Sequence, residues 1–154
     1  MDAHRILVFY YKIAWIYFGN RNYSKSIFYL NKIVNNEVVK LREDLQIYSR
    51  LMFLMCHYEL GNYDVFKYSI TSFKPYFKKL ENTYPLQEIT QATFLKLADA
   101  TKLEHKEIMR NALDQFKVLQ NNSFYNVSFT YLDLISWLEA KIANKTLSAI
   151  MRVK

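Results

Sequence analysis

Leu45-Gln46-Ile47-Tyr48-Ser49-Arg50-Leu51-Met52-Phe53-Leu54-Met55-Cys56-His57-Tyr58-Glu59-Leu60-Gly61-Asn62-Tyr63 decides the reading of this chain. Leu45, Tyr48, Met52, Met55 and Glu59 recur three or four residues apart, the period of one helix face. Gly61-Asn62 ends that helix, in a Gly-Asn-Tyr turn. Asn62 is placed to cap a second helix that opens at Asp64. The same grammar stands earlier in the chain. Tyr11-Lys12-Ile13-Ala14-Trp15-Ile16-Tyr17-Phe18-Gly19-Asn20-Arg21-Asn22-Tyr23 also runs as an apolar helix, breaks at Gly19-Asn20-Arg21-Asn22, where Gly and Asn tolerate the left-handed conformation a helix C-terminus wants, and feeds a further helix.

Working outward, Asp2 to Phe18 reads as the first helix, with Asp2 favourable at the positive end of its dipole. Its segment Ile6 to Tyr11 is apolar on nearly every face, so it needs cover on several sides. The chain is therefore expected either to be part of a longer array or to self-associate through this helix. Ile27, Leu30, Ile33 and Val34 form one face of the second helix. The third runs from about Val39 to Leu60. The fourth carries Val65, Phe66, Ile70, Phe73, Phe77 and Leu80, with Pro75 expected to kink it. Glu81 to Tyr84 reads as a turn, and Pro85 suits a first helical position. A fifth helix follows, then a link near Thr101 to Glu104, and a sixth helix through Leu119. A long seventh is expected from about Phe124 to Ala143. Thr146 caps a short last helix that ends in Arg152 and Lys154, expected to face water. These are about eight helices in an all-α fold, with short links that favour antiparallel neighbours. No segment sustains the period of two that a sheet would need.

Composition agrees. A length of 154 residues is that of one domain. Only 2 Gly and 2 Pro are present, too few for the tight turns of a barrel or sandwich. The net charge of +7 admits a nucleic-acid partner, yet the basic residues are scattered and no block of like charge occurs. Ile6 to Phe18 is shorter than the roughly 20 residues of a spanning helix, and Lys12 interrupts it. Asp2 and the absence of a small-residue cleavage site argue against a signal peptide. The single cysteine, Cys56, lies in an apolar run, which fits an inert thiol in a reducing cytoplasm.

From Tyr23 to Tyr63 the spacing is 40 residues. The helix-turn-helix pairs so defined resemble the tetratricopeptide repeat, whose period is 34, with longer helices. Tyr10, Ala14 and Tyr17 fall at that family's aromatic, small and aromatic positions in the first helix. Tyr23, Ser26 and Leu30 fall at its aromatic, small and large apolar positions in the second. Tyr58, Gly61 and Tyr63 fit the second pair, where Phe66 departs from the family's preference for a small residue. The resemblance covers about residues 6–80. It implies a right-handed α-α superhelix, a tetratricopeptide-like solenoid over residues 1–154. Residues 1–82 would supply two recognisable pairs, and residues 83–154 degenerate helices and a C-terminal cap. It also implies the C-terminal part of a longer bacterial repeat protein.

The function implied by this resemblance is non-enzymatic scaffolding, in which a groove lined by the first helix of each pair takes a partner peptide or helix. The residues that fall there are Tyr11, Lys12, Trp15, Met52 and Met55; the competing reading makes them core. The alternative function is binding of RNA or other nucleic acid through basic helix faces at Lys74, Lys78 and Lys79, and at Lys102, Lys106 and Arg110. No catalytic, metal or cofactor site is expected. His4, His57 and His105 have no second ligand at zinc-like spacing, and adjacent Cys56 and His57 point about 100° apart on a helix. Phosphate-loop and nucleophile-elbow motifs are missing from the sequence. Neither is a membrane partner expected.

Overall fold

A computed structural model describes residues 2–36, 43–78, 85–123, 125–126 and 128–154. Among the described residues there are nine helices and no strand: α1 (Ala3–Gly19), α2 (Tyr23–Val34), α3 (Glu43–Glu59), α4 (Tyr63–Lys78), α5 (Pro85–Asp99), α6 (Lys102–Gln120), α7 (Ser128–Tyr131), α8 (Leu134–Ala143) and α9 (Leu147–Arg152). The chain divides into two compact units, the first reaching Phe73 and the second beginning at Lys74. The expected start of the third helix at Val39 and the turn from Glu81 to Tyr84 lie outside the described residues.

In the first unit, Asp2 caps α1 by accepting a hydrogen bond from the Arg5 amide at 2.9 Å. Leu7, Tyr11, Ala14 and Phe18 then repeat at four, three and four residues and form the buried face. The α1–α2 pair is antiparallel, as its cross-contacts show. Phe18 meets Tyr23 edge to face, the Ser26 hydroxyl donates to the Ala14 carbonyl at 2.8 Å, and Tyr10 reaches Tyr29. Each step up α1 is a step down α2. Ser26 is fully buried, and a side chain this small lets the two backbones approach. α3 packs on α2 and touches α1. The Gln46 amide donates to the Ile33 carbonyl at 3.0 Å and so anchors the first turn of α3 to the end of α2. Leu51, Met52, Met55, Cys56 and Phe66 complete a core without solvent access.

The two turns are the same structure 40 residues apart. Asn22 N donates to Tyr17 O at 2.9 Å, and Asn62 N to His57 O at 3.0 Å. Arg21 N donates to Phe18 O, and Gly61 N to Tyr58 O. This crossed pair of bonds is the Schellman arrangement. Its left-handed position is held by Arg21 (φ 61°) in the first turn and by Gly61 (φ 73°) in the second. Gly19 is not the left-handed residue expected of it; it is the last residue of α1. The ring packing repeats as well, since Tyr58 meets Tyr63 at 72° as Phe18 meets Tyr23 at 69°. Asn62 sends its side-chain amide to His57, at 3.3 Å from Nδ1. α4 runs through Pro75 to Lys78.

In the second unit α6 packs on both α5 and α8, and α8 on α9. Thr101 opens α6, its amide donating to the Glu104 carboxylate at 3.0 Å. Phe94 packs edge to face on Trp137, and Phe116 on Phe129. The long seventh helix of the sequence reading is two helices. Asp133 breaks it because its carboxylate accepts from the Ser136 amide at 3.0 Å and the Ser136 hydroxyl at 2.7 Å, which makes it the N-cap of α8. Asn144, left-handed at φ 54°, ends α8, and Thr146 caps α9. Lys154 stays exposed at the end of the chain, as expected, and also folds back, donating to Ser136 Oγ at 2.8 Å and to Glu139 at 2.9 Å.

Candidate docking surface

The structure separates the five residues assigned to a groove. Met52 and Met55 are 0% exposed and present no surface to a partner. Tyr11 is buried too, and burial, then Tyr48 and Asp44 nearby, holds its hydroxyl well above the usual tyrosine range. Trp15 is half-buried and stacked on Phe18 at 5.6 Å. Lys12 alone of the five is exposed. Of the basic residues, Lys74, Lys102 and Lys106 are exposed. Arg110 is drawn to Glu107 at 3.6 Å, which dilutes the positive face of α6. Lys78 lies in α4, and Lys79 lies outside the described residues.

The titratable groups point to packing. Burial foremost pushes the Cys56 thiol up to about 12, so it is protonated at neutral pH and a poor nucleophile. Burial lowers the His57 pKa. Tyr23 donates to Glu59 at 3.2 Å and titrates above its usual range, chiefly through burial and then through Glu59. Among the described residues no three His, Cys, Asp or Glu side chains converge on a metal position. No described helix is long and apolar enough to cross a membrane.

The outer side of the α1–α2 pair has a composition of its own. Tyr29 of α2 sits between Tyr10 and Tyr17 of α1, with ring centroids 5.9 Å from each. Phe28 abuts Tyr29 edge to face and is 56% exposed. Lys25 lies over the Tyr17 ring at 5.4 Å, while Lys32 lies over Tyr10 at 5.6 Å and Phe28 at 4.7 Å. Such cation–π contacts hold ammonium groups close to apolar surface. Further round α1, Phe9 is 56% and Ile16 60% exposed. From Asp2 to Asn36 the cations are Arg5, Lys12, Arg21, Lys25 and Lys32. The one carboxylate, Asp2, is taken by Arg5 at 3.7 Å. This surface is not evident from either helix alone, because its residues come from both. The signal was present as Tyr10 and Tyr17, and Lys25 and Lys32, each two turns apart.

Comparison with protein-family models, with curated proteins and with solved structures finds no match to this chain.

Proposed function

We propose that this chain is a tetratricopeptide-like scaffold, a right-handed superhelix of antiparallel helix pairs that docks a segment of another protein. The observation that carries the reading is the repeated pair, with the same turn hydrogen bonds and the same aromatic contact 40 residues apart. Helix pairs repeated in this way bury their cores against neighbours and leave long faces for partners. The exposed apolar side chains of the first pair, Phe9, Ile16 and Phe28, give such a partner something to cover.

The test is site-directed photo-crosslinking in the cells that make the protein. A photoreactive phenylalanine analogue replaces Phe28 in one variant and Tyr68, exposed on α4, in a control. A discrete protein adduct at position 28 and none at 68 is the expected result. Adducts to nucleic acid alone, or identical adducts at both positions, count against the reading.

A further inference from the structure

Resting on that reading, we propose that the outer face of the α1–α2 pair binds an acidic amphipathic α-helix of a partner protein. Two features of this face recur at seven residues, Tyr10 and Tyr17 on α1 and Lys25 and Lys32 on α2, and the exposed pair Phe9 and Ile16 repeats the interval about 100° further round α1, at its edge. Seven residues are two helical turns, about 10.5 Å. The surface therefore repeats at the same interval as a helix laid along it. Apolar side chains at i and i+7 of that helix meet Phe9, Ile16 and the aromatic bed, in the helix-in-groove mode. Carboxylates at i and i+7 on its flank meet Lys25 and Lys32.

Charge selects the sign of the partner. No acidic residue follows Asp2 anywhere in the described part of this pair, so the polar face of a basic helix would meet like charge. Both lysines already lie against ring faces, at 4.7–5.6 Å, so a carboxylate closes on a cation held in place. The exposed apolar pair on α1 favours a protein over a nucleic acid. Ile16 offers no ring for a base to stack on, and an aliphatic residue 60% exposed is satisfied by aliphatic side chains.

The experiment titrates the full chain with three labelled probes and follows fluorescence anisotropy. Two are synthetic amphipathic helices with one Leu stripe, their polar faces Glu in one and Lys in the other. The third is a single-stranded uridine oligonucleotide. The Glu-faced peptide is expected to bind about tenfold or more tightly than the Lys-faced one. The double variant Lys25→Glu, Lys32→Glu is expected to invert that preference. Both lysines are exposed, so the variant should keep the wild-type circular dichroism, and its melting temperature, measured alongside, should fall by only the few degrees that the lost cation–π contacts contribute. A second variant, Phe28→Ser, should weaken both peptides equally.

Preference for the Lys-faced peptide, or a Glu-faced peptide bound unchanged by the double variant, overturns this inference and leaves the docking function standing. Binding of the oligonucleotide alone overturns both. Failure of all three probes to bind overturns this inference.

Discussion

Replacing the two glycines by alanine, one at a time, should change stability in opposite directions. Both glycines stand beside turns that look alike in sequence, yet their backbones differ. Gly61 has φ 73°, where an L-residue is strained, and an added Cβ would meet nothing within 4 Å. The cost of Gly61→Ala is then the backbone term alone, about 1 kcal/mol. Gly19 is the last residue of α1, and an added Cβ there also meets nothing within 4 Å. Gly19→Ala removes unfolded-state entropy and adds helix propensity, a gain of about 0.5–1 kcal/mol. Urea titrations followed by far-ultraviolet circular dichroism read both changes as shifts in midpoint at constant slope. In thermal melts each kcal/mol corresponds to roughly 2–4 °C for a chain of this size. Destabilisation by both substitutions would refute the assignment of the first left-handed position to Arg21 and would return it to Gly19.

Ser49→Ala should stabilise the protein by about 1 kcal/mol in the same titrations, because the buried Ser49 hydroxyl has no hydrogen-bond partner among the described residues and alanine is the better helix former; a loss of stability would mean that this hydroxyl is satisfied. Cys56 should resist an aromatic disulfide reagent in the folded protein, since it is fully buried and its thiol is pushed up to about 12. Its reaction rate should rise with urea in step with the unfolded fraction, and rapid reaction without denaturant would contradict the packing of α3. His57, whose pKa burial lowers, should make stability pH-dependent. The unfolded imidazole takes a proton near pH about 6.5 while the folded one still resists. Stability is therefore complete above that pH, falls as pH drops toward the lower folded value, and levels below it. The urea midpoint of His57→Gln should lack this segment, and parallel profiles for the two proteins would refute it.

The helical class was legible because the period of the apolar residues is local. Leu45, Tyr48, Met52 and Met55 mark one face by spacing alone, and all four are buried, although α3 is buried on further sides and Glu59 at the end of the stripe is not. The equivalence of the two turns was legible through Tyr23 and Tyr63. Which residue in each turn goes left-handed was not, because Arg21 occupies that position through its hydrogen bonds and not through its type. The break at Asp133 was hidden inside an apolar run. Asp133 and Ser136 carry a capping pattern, but the hydrophobic residues around them read more strongly as one long helix. Lys154 turning back to Ser136 and Glu139 is a tertiary contact over 15 residues or more, with no local trace.

The groove residues show the same limit. Met52 and Met55 lie on the same stripe whether that stripe faces a partner or α1 and α2, and spacing alone cannot choose between the two. The surface that stands open is built across two helices. Tyr29 from α2 fits between Tyr10 and Tyr17 of α1, and only the antiparallel packing brings Lys25 and Lys32 over those rings. Each residue was plain in the sequence; their meeting required the fold.

The most direct measurement is the molar mass and absorbance spectrum of the chain, isolated with its bound partner by light scattering at low and high salt, beside the Lys25→Glu, Lys32→Glu variant. The account predicts a protein spectrum and added protein mass for the wild-type chain, weakened but not abolished by salt, and lost in the variant. A nucleic-acid spectrum that disappears at high salt would contradict it, and so would a plain doubling of the chain's own mass with no partner present.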